Sequence, residues 1–260
     1  MSLADRVDAV HLEFRRRSAL ALGGEVQAGD GSFFWAGPNP SPIVVNGVIR
    51  TDPSVPADHT LAEAAAFFAA RERGYTIFCR SDTDADISAA CRARDFRELA
   101  SGGLPEMVLH DAPVVPDLAP GVEVRMVSTD ADRTDYLAVF AESYAQIGAS
   151  LETVEGVMPP LELVRGDDVG AFVVTLGGVP AAVAMSVLID GVADIHWVAT
   201  VPSAGRRGLG ELATAKAVDH GFAHGADVSA LQASPMGEGL YLRMGFVELY
   251  RYDEFVVSAT

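Results

Sequence analysis

The chain of 260 residues is strongly acidic, with 36 Asp and Glu against 19 Lys and Arg and a formal charge of −17. Such a surface repels phosphate backbones and anionic lipids, so we expect neither nucleic acid nor a membrane as a partner. The length suits one large or two small domains, and a hydrophobic content of 49% is ample for a core. Its two cysteines, Cys79 and Cys91, fit buried free thiols better than a disulfide framework or a paired metal motif. The start of the chain shows no secretory signal, and we expect a cytoplasmic protein.

The N-terminal half alternates helix and strand patterns. Amphipathic spacing predicts helices at 4–20, from 57 or 58 to 73, and at 87–94, and apolar runs predict strands at 43–50, 75–80 and 107–109. Thr60 and Glu63 have the spacing of a capping box for the second helix. Prolines at 113, 116 and 120 mark an irregular linker. We therefore predict an N-terminal α/β domain at 1–112, a linker at 113–121 and a second domain at 122–260.

The C-terminal half opens with a predicted strand at 122–127 and a helix at 132–144. A broken helix follows at 151–164, interrupted by Pro159-Pro160. Residues 170–189 carry no charge and are long enough to span a bilayer. The turn sequence Gly177-Gly178-Val179-Pro180 in their middle predicts instead a β-hairpin with strands at 171–176 and 181–189.

The segment Val198–Gly210 combines a strand end, a short turn and a basic loop that opens into a helix near Gly208. Glycines at 205, 208 and 210 allow an anion to approach the backbone, and Arg206 and Arg207 add positive charge. Amides at a helix N-terminus lack partners within the helix, so the segment predicts a cradle for a diphosphate. An ordinary strand-to-helix turn with solvated arginines is the competing interpretation.

A second motif follows the helix. After an apolar strand at 228–233, the chain reads Ser234 to Gly239 and then Tyr241-Leu-Arg-Met-Gly245-Phe246, before a final strand at 247–257. Gly245 suits the left-handed position that ends a helix, and Phe246 can fold back onto the core.

Together the two motifs resemble the GCN5-related N-acetyltransferases (GNAT), whose loop pattern is Arg/Gln-x-x-Gly-x-Gly/Ala. The resemblance covers residues 122–257, and Gly205 stands where the family has Arg or Gln. It implies an α/β (α+β) fold with a mixed, mostly antiparallel sheet flanked by helices. It also implies an acyl-CoA-dependent N-acyltransferase with acetyl-CoA as cosubstrate, acting by direct transfer in a ternary complex.

The N-terminal half repeats this order of elements. Segment 51–60, where a second cofactor loop would lie, has prolines and aspartates but no glycine or arginine. We interpret this half as a degenerate sister domain, with an unrelated α/β cap as the alternative.

The resemblance implies which residues hold the cofactor. The pantetheine arm would lie along the strand end, and the diphosphate in the loop. The residues implied are Val198, Ala199, Thr200, Arg206, Arg207, Gly208, Leu209 and Gly210, with Ser234 in the place of a cofactor-binding asparagine.

Three residues are candidates for proton transfer. The family's catalytic glutamate position falls on Asp194, and His196 projects from the same face of the strand. A half-buried Asp194 would have a raised pKa, suiting a base near neutrality. The competing interpretation is a solvated turn aspartate and a satisfied strand histidine. Tyr241 is the expected general acid for the leaving thiolate, against a purely packing tyrosine.

His220 and His224 lie one turn apart on the long helix without an evident third ligand, so a solvated face and no metal site are predicted. Residues 136–164 would shape the acceptor pocket, whose substrate is a small-molecule or peptide amine of unknown identity. A non-catalytic CoA-binding sensor or assembly module is the alternative function. The sequence leaves open whether the chain forms homo-oligomers.

Overall fold

The structure is a computed structural model that describes residues 1–43, 45–146, 154, 166 and 168–259. Apart from Val154, the predicted broken helix at 151–164, and with it most of the expected acceptor pocket, lies outside the described residues.

The chain forms two compact units that alternate along the sequence. Unit 1 consists of Met1–Phe14 and Met107–Val247, and unit 2 of Arg15–Glu106 and Glu248–Thr260. The first helix therefore begins in unit 1 and ends in unit 2. The domain boundaries predicted at 112 and 122 stay a prediction.

Unit 1 is built on an antiparallel sheet that ends in one parallel pair. Strands β7 to β10 pair antiparallel in sequence order, and β10 pairs parallel with β11. The elements that the described residues of this unit form are α1 (Leu3–Ala21, to Phe14), β7 (Val122–Met126), α4 (Asp130–Ala145), β8 (Val169–Leu176), β9 (Val179–Ile189), β10 (Val192–Thr200), α5 (Leu209–Ala223), β11 (Val228–Gln232) and α6 (Glu238–Arg243). The predicted hairpin is thus present as β8 and β9.

Helix α5 and the start of α1 meet opposite faces of β10. Gly221 of α5 is so close to Ala193 that an added Cβ would overlap the Cβ of that alanine. Because side chains alternate along a strand, Asp194 must project to the other face. There it meets His11 of α1. The start of α1 is anchored by Arg6, which is ion-paired with Asp227.

Unit 2 has the same kind of topology. Strands β1, β2 and β3 pair antiparallel, β3 and β4 pair parallel around α2, and β12 pairs antiparallel with β4 and β5. Its elements are β1 (Glu25–Ala28), β2 (Ser32–Ala36), β3 (Asn46–Arg50), α2 (Ala57–Ala69), β4 (Tyr75–Arg80), α3 (Ala85–Ala93), β5 (Arg97–Glu98) and most of β12 (Val247–Val257), while β6 (Leu104–Leu109) crosses the boundary at 106/107. The order β3–α2–β4 parallels β10–α5–β11, which favours the sister-domain interpretation without testing it.

The predicted capping box of α2 is wrong. Helix α2 begins earlier than that motif requires, because Pro56 occupies the N-cap position and fixes the backbone there. Thr60 is therefore a buried residue inside the helix. The carboxylate of Glu63 instead accepts a hydrogen bond from the amide of Asp30.

Both cysteines are buried and free, as predicted. No helix in the described part of the chain is long and apolar enough to cross a membrane.

Candidate functional site

Strand β10 separates from its parallel neighbour partway along its length. Its register with β11 runs from Val192 to Asp194, whereas its pairing with β9 continues to Thr200. Among the described residues, the β11 side of 195–200 therefore has no strand register. This leaves an edge to which an extended ligand can add its own hydrogen bonds.

A β-bulge lies at the point of separation. The register with β9 shifts between His196 and Ala199, and Trp197 adopts a left-handed φ of 51°. The hydroxyl of Tyr136 on α4 donates a 2.9 Å hydrogen bond to the carbonyl oxygen of Trp197. A bulge re-aims the following backbone, and here the donated bond fixes it. Val198, Ala199 and Thr200 come next, with Ala199 buried and the other two partly exposed.

The predicted diphosphate cradle follows without a break. After a short 3-10 turn at Pro202–Ala204, Arg206 and Gly208 adopt left-handed φ values of 59° and 77°, and α5 begins at Leu209. The amide of Leu212 donates a hydrogen bond to the carbonyl of Gly208, which begins the hydrogen bonding of helix α5. The amides before Leu212 therefore have no partner within the helix. Arg206 and Arg207 are exposed. Amides, helix dipole and two cations therefore share one corner, which suits a multiply charged anion.

Gly210 explains how closely the loop packs against β10. A Cβ at this position would lie 2.8 Å from Oγ1 of Thr200, a contact that real side chains do not make. The carbonyl of Gly210 accepts a 2.9 Å hydrogen bond from the hydroxyl of Thr214. The strand end and the cradle are thus one continuous surface.

Gly205 stands where the family pattern has Arg or Gln, and the first positive charge of the loop comes one position later, at Arg206. Gly205 has φ −59° and ψ 151°, which any residue adopts, so glycine is not required there. The neighbouring Arg206 takes the left-handed conformation that favours glycine.

Tyr241 lies on α6 and is buried, with its ring edge-to-face against Phe246 at a centroid distance of 5.9 Å. The helix ends as predicted, with Gly245 at φ 94° and the amide of Phe246 bonding the carbonyl of Tyr241. Burial raises the pKa of Tyr241 well above its usual value. The phenol is therefore protonated at neutral pH, and burial makes it a weaker acid than an exposed tyrosine.

Ser234 is exposed at the turn before α6. Its Oγ accepts a 3.2 Å hydrogen bond from the amide of Gly237. The side chain therefore stabilises the turn, while its hydroxyl proton remains a donor. Its assignment to cofactor binding stays a prediction.

Asp194 and His196 meet, as their spacing indicates. Nε2 of His196 lies 2.7 Å from Oδ2 of Asp194. Nδ1 of His11 lies 3.2 Å from the same oxygen. We call these three residues the histidine–aspartate cluster.

The expected raised pKa of Asp194 is wrong. The carboxyl is 0% exposed, not half-buried. Burial favours the neutral acid, but the charges and hydrogen bonds of His11 and His196 outweigh it and lower the pKa below its usual range. An ion held in this way is a poor proton acceptor.

Two members of this environment were not predicted. His11 and Phe14 both come from α1, far away in the sequence. The Phe14 ring stacks on His196 with centroids 3.5 Å apart and planes 11° apart. Only the amphipathic pattern of α1 hinted that a buried face existed, and it did not reveal what that face covers.

His220 and His224 do not join this group. Their rings stack at 4.0 Å, and Nδ1 of His224 lies 2.7 Å from the carbonyl oxygen of His220. His220 also contacts the Phe172 ring, and burial lowers its pKa, so it is not on the fully solvated face that was predicted. Within the described residues, the histidine–aspartate cluster is the one set of three or more His, Cys, Asp or Glu side chains close enough to share an ion.

Comparison with known families agrees with the geometry. Residues 137–246 match the model of the Acetyltransferase (GNAT) family. This range contains β10, the cradle and Tyr241, so the resemblance predicted for the C-terminal half is confirmed. No curated protein matches the chain.

Solved structures share the fold over nearly the whole chain. A GCN5-related N-acetyltransferase from Kribbella flavida has a TM-score of 0.76 and 22% identity, covering 98% of this chain and 96% of that one. A GCN5-related N-acetyltransferase from Sphaerobacter thermophilus has a TM-score of 0.64 and 12% identity, covering 90% and 82%. A functionally unknown conserved protein from Staphylococcus epidermidis ATCC 12228 has a TM-score of 0.62 and 15% identity, covering 92% and 96%. The predicted α/β fold, in which helices flank a mixed, mostly antiparallel sheet, is confirmed.

Proposed function

We propose that the protein is an N-acetyltransferase that moves acetyl from acetyl-CoA to a primary amine within a ternary complex. The observation that carries this proposal is the path of β10, which leaves β11 after Asp194 and runs directly into the cradle. The match of residues 137–246 to an acetyltransferase family supports it. The amine is a small molecule or a peptide.

The cofactor would bind by two different means. The diphosphate would accept hydrogen bonds from the loop amides up to Gly210, with Arg206 and Arg207 supplying positive charge. The pantetheine arm would lie along Val198–Thr200 as an added strand. A backbone amide of this edge would then polarise the thioester carbonyl.

Transfer requires one bond to form and one to break. The amine nitrogen attacks the thioester carbon, an oxyanion forms, and the C–S bond breaks. The departing sulfur would take the phenolic proton of Tyr241, which is protonated at neutral pH.

The attacking nitrogen must also lose a proton. Asp194 is buried and held as an anion, so we assign this step to His196, directly or through a water molecule. Asp194 would orient the imidazole through Nε2, which directs Nδ1 to the proton. Asp194 is then a positioning residue.

The cradle is tested by calorimetry with CoA. The double variant Arg206→Glu/Arg207→Glu should weaken CoA binding at least about 100-fold, since charge-assisted hydrogen bonds contribute about 1.5–3 kcal/mol each. The matched control is Arg94→Glu/Arg97→Glu, which makes the same change of charge on exposed residues of unit 2. Undiminished CoA affinity in the cradle variant would reject the proposal.

A non-catalytic CoA sensor is the second candidate. The observation that favours it is the lowered pKa of the buried Asp194 carboxyl, because Asp194 stands where the family has its catalytic base and a carboxylate with a lowered pKa is a poor base. Thiol release from acetyl-CoA across a panel of amines, beside calorimetry, separates the two functions. Tyr241→Phe should slow thiol release strongly while leaving CoA affinity unchanged. Tight CoA binding by the wild type without turnover on any amine would favour the sensor.

A further inference from the structure

The histidine–aspartate cluster brings three metal-binding groups to one point in unit 1. His11 comes from α1, and Asp194 and His196 come from β10. Both ring nitrogens approach the same carboxylate oxygen, at 3.2 Å and 2.7 Å. One donor atom from each side chain lies within 4.8 Å of the others.

The setting of Asp194 is unusual for a carboxylate that only accepts hydrogen bonds. Its cross-strand neighbours are Val187 and Ala230, both buried and apolar. Among the described residues, Oδ1 of Asp194 is buried and has no hydrogen-bond partner, while both histidines crowd onto Oδ2. A buried carboxylate normally has its lone pairs satisfied, because burying an unsatisfied charge is costly. A cation held by the three groups would place a positive charge directly beside this buried carboxylate.

The donor set indicates which kind of cation. Two imidazoles and one carboxylate suit divalent transition metals such as Zn²⁺, Co²⁺ or Fe²⁺, whereas Mg²⁺ and Ca²⁺ prefer oxygen ligands alone. The side chain of His196 is 17% exposed, which leaves a route from solvent. The stacked ring of Phe14 fixes the plane of that imidazole, as outer contacts do at metal sites.

We propose that His11, Asp194 and His196 form a binding site for one divalent transition-metal ion. Each imidazole presents a lone pair to the ion, and a neutral ring then carries its proton on the other nitrogen. Any proton on a charged ring is released to solvent.

The site has a consequence for the transferase that rests on the proposed function. With the ion on Nε2 of His196, the ring proton lies on Nδ1, which then cannot accept a proton from the amine. A bound metal would therefore inhibit acetyl transfer.

The test uses the full chain without a histidine tag, freed of metal with chelator and then titrated with Co²⁺. The wild type should bind one equivalent and show the visible absorption of nitrogen-coordinated Co²⁺, and Zn²⁺ should displace it. His11→Gln and Asp194→Asn should each weaken binding at least about 10-fold, since even outer partners of a metal site contribute 10–100-fold. The matched control is His220→Gln/His224→Gln, which removes two histidines elsewhere in unit 1.

The outcomes separate clearly. Loss of binding in the cluster variants with full binding in the control supports the site. Absence of Co²⁺ binding by the wild type, unchanged binding in His11→Gln, or loss of binding in the control overturns it. If Asp194→Asn does not fold, His11→Gln alone decides. The titration contains neither acetyl-CoA nor amine, so its failure is distinct from a failure of the transferase proposal.

Discussion

Gly221 tests how helix α5 is held against β10. It lies inside the helix that begins at the cradle, and its backbone touches Ala193, the residue before Asp194. A Cβ at 221 would overlap the Cβ of Ala193 and lie 3.4 Å from its Cα. Carbon atoms in contact prefer roughly 3.5–4.0 Å. Gly221→Ala must therefore push the helix away from the strand.

Two opposing effects set the magnitude. Alanine in place of glycine stabilises a helix interior by up to about 1 kcal/mol. Forcing an extra carbon into a packed core costs about 1–3 kcal/mol. Gly221 lies in the last turn of α5, where the helical gain is smallest. We therefore expect a net loss of about 1–2 kcal/mol in the free energy of unfolding.

Urea unfolding followed by circular dichroism measures this loss, and calorimetry measures CoA affinity. Ala193→Gly removes the overlapping atom, so the double variant should lose less stability than the two single variants together, by about 1–3 kcal/mol. Gly239→Ala is the matched control, because the atom nearest to its added Cβ, Nη1 of Arg243, would be at an ordinary contact distance of 3.7 Å. A Gly221→Ala protein as stable as the wild type, or additive effects in the cycle, would refute the close packing of α5 on β10.

Two further predictions concern the cradle and α4. Gly208→Ala should destabilise the protein by about 1–2 kcal/mol and weaken CoA binding, because the backbone there has a φ of 77°, which alanine adopts only with strain. The control is Gly205→Ala, which should leave the backbone unstrained at φ −59°. Equal shifts of the thermal unfolding midpoint for the two variants would contradict this prediction. Asp132→Asn should cost about 1 kcal/mol at pH 7, because Asp132 completes the capping box of α4 with Thr129. Burial raises the pKa of Asp132, but the hydrogen bonds from Thr129 and Arg125 outweigh it and lower the pKa. The stabilisation is therefore present above the unfolded pKa of about 3.9 and declines as pH falls below it, so urea unfolding should show the wild type and variant converging in acid.

Most elements could be predicted from local pattern. The strand at 75–80 and the final strand at 247–257 match the structure at both ends, because alternating or continuous apolar residues bounded by turns leave few other choices. The helix predicted to end at 73 ends at Ala69, since helix termini depend on capping contacts that periodicity does not encode. Two of the three glycines that marked the cradle in the sequence are required by the fold, because Gly208 has a left-handed φ of 77° and Gly210 leaves no room for a Cβ beside Thr200.

The surroundings of the site could not be predicted in the same way. His11 reaches Asp194 across 183 positions of sequence, and no spacing rule connects a helix at the start of the chain to one strand face. The error in the pKa of Asp194 has the same origin, because the sign of the shift depends on which cations burial brings along. The left-handed Arg206 was also hidden, since a non-glycine residue gives no sequence signal for positive φ.

These long-range features converge on one stretch of β10. Asp194 is the last residue whose register is fixed on both sides, and the sheet opens immediately after it. An apolar side chain would pack against Val187 and Ala230 without the desolvation cost of a buried charge, and such replacements are often neutral or stabilising. A carboxylate with two histidines is therefore a poor choice for stability alone. We therefore infer that its position beside the opening, one strand segment from the cradle, serves the proton transfer or the metal binding proposed at the edge of β10.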